Sequence, residues 1–227
     1  VNHYTYAIAG DGCLMEGIGH EAISLAGHQK LNKLIVLFDD NGISIDGSTD
    51  IATSDNISGR FEASQWHVLS CNGHDMVAVD AALSQAKTIT NKPVLIRCKT
   101  TIGKGSTKVG GTAKAHGAPL GPEEIEAVRA AIGWTNSAFV ISDDILADWR
   151  NAGSRGHAEQ TAWQTRLKSA KQKTQFEADI LGDVKKSAAG AVADMKNQLR
   201  NDPQKVATRV ASQKTIERVY EKKKEQQ

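Results

Sequence analysis

Two short apolar, β-prone runs separated by a stretch of helical period constrain this chain most. Thr5-Tyr6-Ala7-Ile8-Ala9 and Leu34-Ile35-Val36-Leu37-Phe38 read as strands buried on both faces of a parallel sheet. Between them Leu14, Ile18, Ala22 and Leu25 recur at helical spacing, so residues 4–45 predict a βαβ crossover. Each strand runs into a polar turn: Gly10-Asp11-Gly12 after the first, Asp39-Asp40-Asn41-Gly42 after the second. Both turns therefore fall at the carboxyl ends of neighbouring parallel strands, where open α/β sheets bind ligands.

The residue types say what such a crevice would hold. Gly10 and Gly12 allow close approach of a ligand, and a helix beginning near Cys13 would turn its free amides towards an anion such as a diphosphate. Asp11 beside an anion calls for a cation between the two negative charges. Asn41 and a turn carbonyl would complete a hard, all-oxygen shell of the kind Mg²⁺ takes together with phosphate oxygens. A dinucleotide site is excluded by spacing, because the third glycine it requires would fall at Met15.

The wording Gly10-Asp11-Gly12-Cys13-Leu14-Met15-Glu16-Gly17, with Asp39-Asp40-Asn41-Gly42-Ile43-Ser44-Ile45-Asp46-Gly47 about thirty residues on, resembles the thiamine-diphosphate fingerprint in its transketolase form. The resemblance continues through Arg60-Phe61-Glu62, Gly73-His74-Asp75, Lys99-Thr100-Thr101-Ile102-Gly103 and His116-Gly117-Ala118-Pro119-Leu120-Gly121. Asp40 stands where the generic fingerprint has asparagine, a form also met among transketolases. The resemblance implies transfer of a two-carbon ketol group from a ketose phosphate to an aldose phosphate, with thiamine diphosphate and Mg²⁺ or Ca²⁺. It implies Asp11, Asn41 and the carbonyl of Ile43 as metal ligands, with Gly12, Asn41, Ile45 and His116 at the cofactor. His116 would also meet the sugar substrate as a hydrogen-bond donor and proton-transfer group. Glu16 and Glu21 would lie at the interface of a homodimer; on local grounds alone they fit a hydrated helix face equally well. Related thiamine enzymes, such as deoxyxylulose-phosphate synthase or 2-oxo acid dehydrogenase components, would share Asp11 and Asn41 but not the longer wording. A cofactor-binding or dimerising module without turnover is the reading from outside enzymology.

Further along, residues 44–59 predict a polar loop over the crevice mouth. Residues 66–69 predict a third strand, 76–89 a helix, and 94–98 a fourth strand; 99–121 form a long glycine-bearing loop carrying His116. No local feature gives His67 or His74 a partner. Pro122-Glu123-Glu124 opens a helix to Ile132, after which the pattern turns wholly helical: 143–151, 157–181 and 184–199. The organisation expected is an α/β diphosphate- and metal-binding domain over 1–134 with its N-terminal part missing, as the start at Val1 suggests. A helical interdomain segment over 135–203 follows, then the first helix of a pyrimidine-binding domain over 204–227. Glu221 to Gln227 reads as a frayed, charged end. The remaining catalytic groups would come from that pyrimidine domain, on sequence absent here or on a partner chain.

Charge and cysteine content narrow the setting. Residues 1–134 hold 11 Lys+Arg and 14 Asp+Glu, and residues 135–227 hold 17 and 12. In the basic part acids alternate with bases and aromatics are few, which argues for a solvated helical surface and against nucleic acid. Cys13, Cys71 and Cys98 show no metal or redox spacing, and no apolar stretch is long enough to span a bilayer. A reduced cytoplasm is the expected compartment, and the pentose phosphate pathway or Calvin cycle the expected context.

Overall fold

The computed structural model describes residues 2–182 and 185–224. Four strands, β1 (Thr5–Gly10), β2 (Leu34–Asp40), β3 (His67–Asn72) and β4 (Val94–Lys99), form one parallel sheet in the order β1-β2-β4-β3. The connections are α1 (Asp11–Met15) and α2 (Gly17–His28), then α3 (Ile57–Ala63), then α4 (Met76–Ala86). From β1 to β3 the chain advances across the sheet, and from β3 to β4 it steps back. Right-handed crossovers therefore place α4 on the face opposite α2 and α3.

The core reflects that reversal. On one face Leu14, Ile23, Ala26, Phe61 and Trp66 pack on Phe38 and Leu95; on the other Ala82 and Ala86 of α4 pack on Ile35, Val94, Ile96 and Cys98. Ile35 and Phe38 of β2, and Val94, Leu95 and Ile96 of β4, are completely buried, as central parallel strands require. The expected two-sided burial fails at β1. Tyr6 is 46% and Ile8 82% exposed, because β1 is a sheet edge and only its last two residues are partly buried.

Other boundaries shift for local reasons. The expected single crossover helix breaks at Glu16, whose extended backbone (ψ 139°) separates α1 from α2. The polar loop after β2 ends in the unforeseen α3, capped by Asn56, whose Oδ1 accepts from Gly59 N–H at 3.0 Å. His74 does have a partner: Nε2 accepts from Thr101 N–H at 2.8 Å, from a loop distant in sequence.

The first compact unit ends at Ala138 and contains α5 (Pro122–Ile132); the second runs from Phe139. Its elements are α6 (Asp143–Ser154), α7 (His157–Ser169), α8 (Lys173–Ile180), α9 (Lys185–Asn201) and α10 (Thr208–Lys224). The helix expected over 157–181 is two, broken at Ala170, and Trp163 meets Phe176 edge-on across the break. Val184, expected to begin a helix, lies outside the described residues, as do 225–227 of the expected frayed end; Glu221 to Lys224 are helical. Ala191 of α9 is fully buried, and α9 meets α10 through Asp194, which pairs with Arg218 and Lys222. Among the described residues no helix is long and apolar enough to cross a membrane.

Gly27 is the tightest joint of the first unit. A Cβ there would stand 1.7 Å from the carbonyl oxygen of Ser64 and 3.3 Å from the Trp66 ring. Trp66 in turn donates Nε1–H to the Ile23 carbonyl at 2.8 Å, so α2 and the α3–β3 link are packed backbone to backbone. Gly27→Ala should lower stability by about 3 kcal/mol, the upper range for overpacking, read as a reduced urea midpoint. An unchanged midpoint would mean that this contact is not tight.

Candidate active site

Parallel pairing in the register Gly10↔Asp39 brings the ends of β1 and β2 side by side, with Asp40 and Asn41 beside the first turn of α1. A cavity of about 450 Å³ opens there, lined by Asp11, Met15, Asp40, Gly42, Thr49 and Arg97 among others. Three carboxylates meet at this edge, and the chain treats them unequally. Asp39 accepts hydrogen bonds from the Thr100 hydroxyl and from Asn41 Nδ2 (3.2 Å). Asp40, 5% exposed, pairs with Arg97 Nε at 2.5 Å and Lys99 Nζ at 3.5 Å. Asp11 Oδ2 is buried with no hydrogen-bond partner among the described residues.

Burial, and then the negative charge of Asp40, raises the Asp11 pKa above its ordinary 3.8; an amide hydrogen bond from Gly42 works against this. A buried carboxylate oxygen without a donor is costly unless something absent from the chain satisfies it. A divalent cation fits that description. The glycines agree: Gly10 (φ −92°) and Gly12 need no left-handed backbone, and a Cβ on either would meet nothing within 4 Å. Neither backbone strain nor protein packing requires glycine there, which leaves room for a ligand.

Asn41 and Ile43 share a turn in which Asn41 Oδ1 accepts from Ile43 N–H at 2.9 Å. Ser44 N–H to Gly47 O (2.7 Å) and Thr49 N–H to Gly42 O (3.0 Å) close a small hairpin around the bridge Ile43↔Ser48. Those bonds flank Ile43 and leave its carbonyl outside the pairing. Ile45 is 72% exposed. His116 closes a 3₁₀ turn over Ala113–Ala115 in the loop leaving β4, exposed and apart from the cavity lining. Glu16 and Glu21 are exposed, beside the exposed apolar Ile18 and Leu25 of α2. Asp11 and Gly12 thus follow β1, and Asn41 and Ile43 follow the neighbouring β2; of these Asp11 lines the cavity, while Ile45, His116, Glu16 and Glu21 stand on open surfaces. The anion-facing helix expected from Cys13 begins at Asp11 and has five residues, so it offers a few free amides and little macrodipole.

Several residues escaped the sequence reading of the site. Arg60 donates to the Leu14 carbonyl (2.9 Å) and Asp55 (2.9 Å) and meets a ring nitrogen of His20 at 2.7 Å, tying α1 to the loop across the crevice. The Arg97–Asp40 pair depends on β2 and β4 being neighbours, which spacing along the chain does not show. Cys71 and Cys98 are register partners with sulfurs 3.8 Å apart, and burial with the neighbouring thiol pushes Cys98 up to about 12.

The family model for the transketolase thiamine diphosphate binding domain matches residues 1–189. The chain belongs to the transketolase family. It is 47% identical over 216 residues to a transketolase of Sinorhizobium medicae, covering 95% of this chain and 31% of that protein. Among solved structures, the transketolase of Campylobacter jejuni aligns with a TM-score of 0.70 at 40% identity, over 82% of this chain and 29% of that one. A Pichia stipitis transketolase in complex with sedoheptulose-7-phosphate aligns with a TM-score of 0.65 at 36% identity, over 81% and 27%. The chain spans about a third of the length of the curated relatives it matches. The matched residues include Asp11 and the cavity it lines.

Asp11 makes opposite predictions for stability and for binding. Since its folded pKa is raised, its contribution to stability is complete below the ordinary value of 3.8 and is lost as pH rises through the raised value. Asp11→Asn should therefore raise the thermal midpoint of the ligand-free chain at pH 7. Were Asp11 to hold a cation between itself and a diphosphate, the same change should weaken binding of thiamine diphosphate in the presence of Mg²⁺ by more than about 100-fold, because loss of even an outer partner of a metal costs 10–100-fold. Calorimetry at pH 5 and 7 and titration with the cofactor read the two effects. A less stable variant at pH 7 would show that Asp11 is not strained by its burial.

Proposed function

We propose that this chain supplies the diphosphate- and metal-binding half of a transketolase, which moves a two-carbon ketol group from a ketose phosphate to an aldose phosphate. The buried Asp11 Oδ2 that no donor reaches, at the end of β1, carries this reading. Asp11, Asn41 Oδ1 and the Ile43 carbonyl would hold Mg²⁺, or Ca²⁺, with the remaining positions left to the diphosphate and water. Gly12 and the α1 amides would receive diphosphate oxygens, and Ile45 would lose its exposure against the cofactor. Bound there, thiamine diphosphate supplies the nucleophilic carbon and the electron sink that ketol transfer needs. His116 would donate a hydrogen bond to the diphosphate or the sugar and move a proton at the sugar oxygen.

Sugar phosphates are proposed as substrates because a related structure carries one. Homodimerisation through the α2 surface with Glu16 and Glu21, and completion of the site by a pyrimidine-binding domain, belong to the same proposal. So do a cytoplasmic setting and a place in pentose-phosphate or Calvin-cycle chemistry.

The purified chain should bind thiamine diphosphate with Mg²⁺ yet show no ketol transfer. Positioning accounts for roughly 7–11 kcal/mol of such barriers, and the groups that would hold the aminopyrimidine and the sugar lie elsewhere in this proposal. Turnover by the chain alone would overturn that division of labour. In the complete enzyme, formed by this chain with the sequence its relatives carry in addition, His116→Ala should lower kcat by about 100-fold at unchanged fold. Wild-type turnover in that variant would remove His116 from the chemistry.

A further inference from the structure

Glu124, in the first turn of α5, is 3% exposed, and nothing in the proposed chemistry uses it. Its Oε1 receives the Thr107 N–H at 2.6 Å, the Lys108 N–H at 3.0 Å and the Ser106 hydroxyl at 2.5 Å, with Thr107 Oγ1 at 3.4 Å. The Ser106 hydroxyl, the Lys108 amide and the Thr107 amide hold the carboxyl below its ordinary value. A buried carboxylate needs such an array of donors, and here all of them come from one turn of the β4–α5 loop.

That turn is the base from which the rest of the loop is built. Ser106 Oγ also accepts from Val109 N–H (3.1 Å), Gly111 N–H reaches back to Ile102 O (2.8 Å), and Thr112 bonds Val109 O through its amide and its hydroxyl. Ala115 N–H then bonds Thr112 O, and His116 N–H bonds Ala113 O, each at 3.0 Å. The loop closes on itself where glycines permit: a Cβ on Gly110 would stand 2.6 Å from Ser106 O, and one on Gly103 (φ 63°) 2.9 Å from the Ala115 Cβ. Lys104, Thr107, Lys108, Thr112 and Lys114 are exposed, so apolar burial does little to shape this segment. Hydrogen bonds running from Glu124 to His116 do.

We propose that Glu124 is a positioning residue for His116: its buried carboxylate fixes the 106–109 turn, and the linked turns from there set where the imidazole stands. The inference rests on the role proposed above for His116. A carboxylate suits this place because its charge strengthens each of the bonds that converge on Oε1; a glutamine keeps an acceptor oxygen there but loses that charge.

A double-mutant cycle in the complete enzyme tests it, with kcat and KM for the ketose phosphate measured for Glu124→Gln, His116→Ala and the pair. Glu124→Gln should lower kcat by about tenfold, as expected for slight misplacement of a reacting group. It should lower kcat less than about twofold in the His116→Ala background, where there is no imidazole left to place. The same cost in both backgrounds would make Glu124 a structural residue and overturn the inference while leaving His116 in its role. Wild-type turnover in His116→Ala would remove that role and the inference together. Amide exchange on the 227-residue chain supplies a readout independent of turnover. Thr107, Lys108 and His116 should exchange at least about tenfold faster in Glu124→Gln while β2 and β4 keep their protection; unchanged exchange in the loop would also overturn the inference. Should Glu124→Gln not fold, Glu124→Asp, which keeps the charge and withdraws the oxygen, takes its place in both experiments with the same outcomes.

Discussion

Negative charge gathered at the ends of two neighbouring parallel strands sets the terms for the rest of this structure. The register of β1 against β2 forces Asp11, Asp39 and Asp40 towards one another, and each needs a counterpart. Asp40 takes Arg97 and Lys99 from β4, which explains why β4, and no other strand, carries cations on the face that borders the cavity. Asp39 takes neutral donors, Thr100 and Asn41, and the Thr100 amide also bonds the Asp40 carbonyl at 3.2 Å. Two acids are thus satisfied from within and the third is not. The unequal treatment of three carboxylates, more than the presence of any one of them, marks the site.

How much of this was legible in the sequence depended on whether the cause was local. The βαβ unit, the parallel sheet and the turns at its carboxyl edge all follow from period and punctuation, and the strands at Val94–Lys99 and the helix from Pro122 appear where those signals put them. Burial of β1 was misjudged because an apolar run reports what a strand tolerates, whereas exposure depends on which elements stand beside it. The break at Glu16 and the α3 turn are short events set by tertiary contacts, Arg60 with Leu14 O and Gly27 with Ser64 O, that join positions about 40 residues apart. The same holds in the site. Asp11 and Asn41 stood out as residue types at strand ends, but the Arg97 pairing, the Arg60 clamp and the Glu124 cage need the strand order and loop path before they exist.

Burial within the α/β unit is centred on β2 and β4 and declines towards β1, where Ile8 is 82% exposed. The crevice therefore has a rigid side and a softer one. Arg97 and Lys99 stand on, and Asn41 and Ile43 shortly after, the central strands that hold the fully buried core residues, while Asp11 follows an edge strand and is held to the sheet by Leu14, by Arg60 and by the Gly42 amide. Because these ties act through α1, a ligand that neutralised Asp11 would stiffen the first βα turn and the edge strand with it. Cofactor binding and order at β1 are in that sense one equilibrium.

The polar anchors also bear on how an anionic cofactor would enter. Asp11, Asp40, Asp50 and Asp55 line the cavity, against Arg97 and Lys99, and both of those cations already face Asp40. A diphosphate arriving alone would meet a lining with acids in excess and an Asp11 whose charged form burial already disfavours. A cation arriving alone would find, among the described lining residues, Asp11 and the exposed Asp50 as acids without an ion pair, since Asn41 and Ile43 contribute neutral oxygens. Neither partner gains much without the other, whereas the pair together cancels charge on both sides of the cation. The two should therefore bind as a unit in the proposed site, with each tightening the other.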